Sequence, residues 1–221
     1  MLERSEARKF YDRFGAKQDW QIYEHRPIQR LIQAGKFEQA NNVFEFGCGT
    51  GSLGLELMSN HLPKGAYYRG VDISATMVTL ARRKLAPFGD RADVQQIEGE
   101  MRIDSADNTW DRVVCCYVLD LLSETDIRHF LLESHRVLKA EGLLCLVSFT
   151  HGITPVSRGV EKIWSAVFHR RPSLVGGCRP LALAALLEAE QANWKITSDE
   201  VLSSFGVASE VLVAQPVKLT S

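Results

Sequence analysis

Three glycines alternate at Gly47, Gly49 and Gly51, directly behind the apolar run Val43-Phe44-Glu45-Phe46, and Leu53 and Leu57 then fall on helical spacing over residues 52 to 60. Glycine removes the Cβ where a backbone must turn sharply and let a ligand come close, and a helix start behind such a loop presents free amides. Asp72 stands 21 positions beyond Gly51, at the end of a second apolar stretch, Tyr67-Tyr68-Arg69-Gly70-Val71. An acid at that distance can accept both hydroxyls of a ribose, so the pair reads as a loop for a nucleotide-type cofactor. The third glycine of a dinucleotide fingerprint would fall at position 52, where the chain has Ser52, and nicotinamide or flavin therefore fits poorly. Glu45 puts a charge inside an apolar strand end, and that charge requires a partner. The cationic end of a cofactor is one, reached directly or through loop amides and water, and plain bracing of the loop is the other. Cys48, small and between glycines, reads as packing or loop geometry rather than as a nucleophile.

Two proton-accepting groups lie where open α/β sheets hold ligands. Asp120 follows Tyr117-Val118-Leu119 at the end of the fourth apolar run, and His151 follows the fifth. Either can serve as a base toward a substrate. The structural alternatives are a helix cap for Asp120 and a surface histidine beside Gly152. Neither belongs to a His-Glu or carboxylate cluster with ligand spacing, and the five cysteines show no CxxC pair, so no metal is expected.

The elements that must position these groups follow from the apolar pattern. Runs at 43–46, 67–71, 94–97, 111–118 and 142–149 alternate with helix-patterned stretches, the signature of βαβ units and a parallel sheet. Ser123 is placed to cap a helix reaching Leu138, with Ile127, Phe130, Leu131, Val137 and Leu138 on the face toward the sheet. Pro27 is placed to begin a short helix that Gly35 stops, so the first 40 residues read as helical. After position 150 the pattern predicts helices near 156–168 and 181–190 around a glycine-containing loop at 174–178, then apolar runs near 194–202 and 209–214.

Length and composition set bounds. The 221 residues suit a single α/β domain. Twenty-six basic against 27 acidic residues, with no long run of either, leave no electrostatic footprint for a phosphate backbone, so no nucleic-acid partner is expected. The opening Met1-Leu2-Glu3-Arg4-Ser5-Glu6 lacks the apolar centre of a signal peptide, and no run nears the roughly 20 apolar residues that span a bilayer, so a cytoplasmic protein with no integral membrane span is expected. Five cysteines, three of them in strand-like runs, suit a reducing compartment.

Glu45 with the following glycines reads E-x-G-x-G-x-G, which resembles the first motif of the class I S-adenosylmethionine-dependent methyltransferases. The resemblance continues in order through Val71-Asp72-Ile73-Ser74 with Met77, Ile97-Glu98-Gly99-Glu100-Met101, and the strand Trp110-Asp111-Arg112-Val113-Val114-Cys115-Cys116-Tyr117-Val118-Leu119. His135-Arg136-Val137-Leu138-Lys139-Ala140-Glu141-Gly142 is similar to the family's R-V-L-K-P-G-G turn, with Ala140 and Glu141 in place of Pro and Gly. The likeness spans roughly residues 9 to 150 and is nearest to the ubiquinone-type and phospholipid branch.

That resemblance implies a Rossmann-like, doubly wound seven-stranded sheet, mostly parallel with an antiparallel last strand and helices on both faces. It implies S-adenosyl-L-methionine as cofactor, S-adenosyl-L-homocysteine as product, and methyl transfer to a small-molecule acceptor. The cofactor-binding set it implies is Tyr11, Glu45, Gly47, Cys48, Gly49, Gly51, Asp72, Ile73, Met77, Gly99, Glu100, Met101 and Tyr117, with Asp72 on the ribose and Glu100 toward the adenine amino group. Residues 1–40 correspond to a helical lid, 41–150 to a cofactor-binding core, and 151–221 to an acceptor cover with the last two strands. Trp20, Tyr23, Trp164, His169 and Cys178 are the acceptor-side candidates. Apolar residues and arginines over 151–180 fit a hydrophobic acceptor with a polar or negative group, in solution or at a membrane surface by peripheral contact. A protein or RNA methyltransferase, a non-catalytic cofactor module and an oxidoreductase are the competing classes. Cys116-Tyr117-Val118-Leu119 stands where amide and amino-group enzymes carry Asn-Pro-Pro-Tyr, which weighs against the first of these.

Overall fold

Short runs rich in β-branched, aromatic and leucine residues become seven strands: β1 Asn42–Phe46, β2 Tyr67–Asp72, β3 Ala92–Gln96, β4 Trp110–Cys116, β5 Leu138–Phe149, β6 Trp194–Ser204 and β7 Val207–Pro216. The computed structural model describes Asp12 and residues 22–160, 178–190 and 193–218. The strands form one sheet in the order β3-β2-β1-β4-β5-β7-β6. Pairs from β3 through β5 are parallel, and β7 runs antiparallel to both β5 and β6. The chain leaves β1 in one direction to build β2 and β3, then returns to place β4 on the other side. The point of reversal lies between β1 and β4, where an α/β sheet opens a crevice at its carboxyl edge.

The helices are α1 His25–Ala34, α2 Ser52–Glu56, α3 Ala75–Leu85, α4 Glu124–Val137 and α5 Leu183–Glu188. Side chains alternate across a strand, so Val43 and Glu45 face one way while Phe44 and Phe46 face the other. On the first face Leu31, Leu57, Val78 and Ala81 pack on Val43, Tyr68, Val114 and Cys145; on the second, Ile127, Phe130, Leu131, Leu183 and Leu187 pack on Phe44, Phe46, Val113 and Leu144. The sheet is therefore covered on both faces, as expected. Cys115 and Cys145 are fully buried strand residues, all five cysteines are free thiols, and no described helix is long and apolar enough to cross a membrane.

Local signals set several boundaries. Ser123 Oγ accepts the Asp126 amide at 3.0 Å and starts α4, and Ser74 Oγ accepts the Met77 amide at 3.2 Å and starts α3. Gly35 closes α1 through its amide to the Leu31 carbonyl at 2.8 Å. Other boundaries differ from the sequence expectation. The helix expected over 52–60 is α-helical only to Glu56 and widens into a π-type turn, Leu57–His61. Strand β5 begins at Leu138 rather than 142, because Leu138 pairs with Trp110 and a register shift between Trp110 and Arg112 absorbs the turn. The helix expected over 181–190 is shorter. Its start is fixed by Glu210 of β7, whose carboxylate accepts the Leu183 and Ala184 amides, each at 2.9 Å. Residues 155–160 are helical, and the remainder of the helix expected near 156–168 lies outside the described residues.

Candidate functional site

The glycine loop leaves the end of β1 and is held by β2. The Gly47 and Cys48 amides both donate to the Val71 carbonyl, at 2.8 and 2.9 Å, and the Gly49 amide donates to Asp72 Oδ2 at 2.9 Å. All three loop glycines have positive φ: 74° at Gly47, 52° at Gly49 and 78° at Gly51. At Gly47 a Cβ would also sit 2.3 Å from Val118 Cγ2, so the loop lies directly against the residue that follows Tyr117. Lys84 of α3 reaches back to Ser52 Oγ at 2.6 Å and Thr50 Oγ1 at 3.1 Å, fastening the far end of the loop.

Acids converge beneath it. Asp72 accepts the Ser74 amide at 2.8 Å through Oδ1; burial raises its pKa, and the amides of Ser74 and Gly49 oppose that rise. Asp12 accepts Ser74 Oγ at 2.5 Å and the Thr76 amide at 3.4 Å, which puts Asp12 at the start of α3. Glu45 is 3% exposed and accepts the Tyr68 hydroxyl at 2.6 Å. Burial pushes its carboxyl up to about 8, the Tyr68 bond opposing and Asp72 adding to the rise. The Cys48 side chain is buried beside Gly70, and its thiol is pushed well up by burial. Ile73 is half-buried, whereas Met77 is enclosed in α3 at 1% exposure. Gly99 has φ 97° and is buried, Met101 is buried, and Glu100 is exposed with an oxygen 3.1 Å from the Glu98 amide. Glu100 also lines a groove of about 400 Å³ with Phe46, Val71, Ile97, Arg102 and Ile103.

At the carboxyl ends of β4 and β5 three rings meet. Tyr117, held at φ 56°, has its ring centroid 5.0 Å from Phe149, and Tyr23 stands 6.3 Å from Tyr117 edge-on and 5.7 Å from Phe149. The Tyr117 hydroxyl bonds Ser209 Oγ at 3.0 Å, and that of Tyr23 bonds Glu24. Asp120 is completely buried beside Cys178 and Tyr23. Among the described residues its oxygens are faced by its own backbone amide and by the Cys178 thiol, a weak donor. Burial pushes Asp120 up to about 7, opposed by its own backbone amide, the Cys178 thiol and Arg179. His151 is exposed.

The structure thus groups Glu45, the glycines and Asp72 at one end of the crevice, and Tyr23, Tyr117, Asp120 and Cys178 at the other. Tyr11, Trp20, Trp164 and His169 lie outside the described residues. No cluster of His, Cys, Asp or Glu suited to a metal occurs among the described residues. Sequence reasoning passed over Tyr68, Glu24 and Phe149. Only Tyr68 had a signal, an aromatic residue whose strand neighbour Gly70 and helix neighbour Gly54 both lack side chains.

Residues 43–142 match the methyltransferase domain model, a span that holds the glycine loop, Asp72 and β4. The chain carries a methyltransferase domain over these residues, and its likeness is to the class I, S-adenosylmethionine-dependent family. The ubiquinone/menaquinone biosynthesis C-methyltransferase UbiE of Geotalea uraniireducens is 26% identical to this chain over 166 residues, covering 74% of the chain and 65% of the relative. The carboxy-S-adenosyl-L-methionine synthase of Wolinella succinogenes is 30% identical over 102 residues, covering 46% of the chain and 41% of that protein. The chain therefore spans less than two thirds of either relative. A Haloferax volcanii protein solved in complex with the Trm112 methyltransferase activator has the same fold, with a TM-score of 0.77 at 15% identity over 97% of this chain and 99% of that one.

Proposed function

We propose that the protein transfers the methyl group of S-adenosylmethionine to a small-molecule acceptor with an apolar or aromatic body. The observation that carries this reading is the convergence of the loop 47–51, Glu45 and Asp72 on one edge of the sheet, with the loop held at positive φ by its three glycines. The donor set suits the cofactor. The Asp72 carboxylate keeps acceptor capacity beyond its bonds to the Gly49, Ser74 and Ile73 amides, which a ribose hydroxyl can use. Glu45 supplies negative charge for the amino end, and Ile73, Gly99, Glu100 and Met101 border the base. When bound, S-adenosylmethionine supplies a methyl group already activated on a sulfonium.

The chain's own residues then have to align, exclude water and take a proton. Tyr23, Tyr117 and Phe149 form an aromatic wall at the carboxyl ends of β4 and β5, and alignment by such walls contributes about 7 to 11 kcal/mol to a two-reactant step. Asp120 is the base for an acceptor whose nucleophilic atom bears a proton. We read the lead-in ahead of α1, from which Asp12 bonds Ser74, as the segment that closes this crevice. The name of the UbiE relative agrees with an apolar acceptor. Calorimetry with S-adenosylhomocysteine and with NADH tests the cofactor, and release of S-adenosylhomocysteine across phenols, amines, thiols and phospholipids tests the acceptor. Binding of NADH alone overturns the reading.

One observation favours a lipid-borne acceptor as a second reading. Ile153, Val156 and Phe205 are 49, 67 and 81% exposed, on the segment that follows β5 and at the β6–β7 turn. Val156 lies 3.5 Å from where a Cβ on Gly206 would stand, so two of the three share one rim. Co-sedimentation with anionic vesicles that is lost on Val156→Asp with Phe205→Asp supports this reading, and its absence at every lipid composition rejects it.

A further inference from the structure

Tyr68 is completely buried, yet its hydroxyl has room made for it on two sides. A Cβ on Gly54 of α2 would lie 2.6 Å from the ring's Cζ and 2.7 Å from the hydroxyl, and a Cβ on Gly70 of β2 would lie 2.8 Å from the hydroxyl. Glycine is a poor residue for either a helix or a strand, so both elements give up local stability to admit this phenol. What the clearance permits is the 2.6 Å bond to Glu45 Oε2.

Glu45 is not needed to brace the loop. The Gly47 and Cys48 amides are taken by the Val71 carbonyl, and the Gly49 amide by Asp72. The other titratable groups that face Glu45 are Asp72 of β2, Cys48 of the loop, and Cys115 and Cys116 of β4. None of them brings positive charge, so among the described residues a charged Glu45 faces no cation.

We propose that Tyr68 is a positioning residue for cofactor binding, its hydroxyl holding the Glu45 carboxylate charged and fixed in direction for the ammonium group of the adenosyl cofactor. This rests on the reading of the crevice as an S-adenosylmethionine site. A hydroxyl that donates to a carboxylate stabilises its ionised form, and it leaves that carboxylate's second oxygen to the ligand. Because burial pushes Glu45 up to about 8 in the free protein, binding of S-adenosylhomocysteine strengthens as pH rises from 6 to 8 and Glu45 ionises. Removing the hydroxyl moves that rise to higher pH.

The test is calorimetric titration with S-adenosylhomocysteine between pH 6 and 8 on the wild type, Tyr68→Phe, Glu45→Gln and the double variant. Tyr68→Phe keeps the ring that packs on the two glycines. It is expected to bind about tenfold more weakly at pH 7, the loss typical of one hydrogen bond to a charged group, with its pH profile displaced upward. Glu45→Gln is expected to bind weakly with a flat profile, and adding Tyr68→Phe to it should change nothing further. An equal loss in both backgrounds means that Tyr68 acts through packing and overturns the proposal, whatever the stability of the variants. Unchanged affinity and profile in Glu45→Gln, with the wild type still binding, also overturns it while the cofactor reading stands. If the wild type fails to bind the ligand, the cofactor reading falls and takes this proposal with it.

Discussion

Asp72 uses one carboxylate for two tasks. It ties the Gly49 amide to β2 and the Ser74 amide to the start of α3, and in the proposed site it also accepts the ribose hydroxyls. Asp72→Ala should weaken S-adenosylhomocysteine binding by at least tenfold, since each bond to a charged group contributes about 1.5 to 3 kcal/mol. Calorimetry checks it, and unchanged affinity would remove Asp72 from the site. Asp120 makes a contrasting case, a fully buried carboxylate that burial pushes up to about 7. If it takes the acceptor's proton, kcat/KM should rise with pH through about 7 in the wild type and lose that limb in Asp120→Asn, with cofactor affinity preserved. A variant with the wild-type pH profile would mark Asp120 as a structural acid only.

At the scale of elements, the loop between β1 and α2 packs directly against the turn that follows β4. Gly47→Ala adds a methyl group 2.3 Å from Val118 Cγ2 at a φ of 74°, so it meets both backbone strain and a clash. Together these should cost about 2 to 4 kcal/mol of stability, measured by urea unfolding. Adding Val118→Ala should recover the part due to the clash and leave the part due to φ. A second expectation concerns the lead-in. Asp12 bonds the residue that caps α3, immediately beside Asp72, so hydrogen exchange over residues 1 to 25 should slow when S-adenosylhomocysteine binds. Equal exchange with and without ligand would make this segment ordinary packing rather than a lid.

For the whole molecule, the buried acids set the pH dependence of stability. Glu45 rises from 4.5 to about 8 and Asp120 from 3.8 to about 7 on folding. Between about pH 4 and 7 the unfolded chain has released these protons and the folded chain still holds them, so stability falls as pH rises. The depressed acids Asp111 and Glu133 act oppositely, but their contribution is already complete above their unfolded values and is lost only in stronger acid. The thermal midpoint should therefore be higher at pH 6.5 than at pH 8, a window above the unfolded value of His135, whose burial-lowered pKa opposes the slope in more acid solution. Glu45→Gln with Asp120→Asn should flatten that slope, and a wild type more stable at pH 8 would contradict the burial of these groups in the folded protein.

The sequence by itself determined whatever depends on neighbours in the chain. The glycine spacing after β1 fixed a loop of positive φ, the apolar runs placed the core of each strand, and Ser123 fixed the start of α4, because a turn, a strand face and a cap are each decided within a few residues. The ordered motifs carried the family, and with it the antiparallel last strand that periodicity alone does not specify. Only the tertiary structure decided that Tyr68 meets Glu45 across 23 positions, that Asp120 lies against Cys178, that Tyr23 joins Tyr117 and Phe149, and that Glu210 starts α5. Those partners are brought together by the order β3-β2-β1-β4-β5-β7-β6, and a side chain's burial and charge state follow from whichever strand the sheet sets beside it.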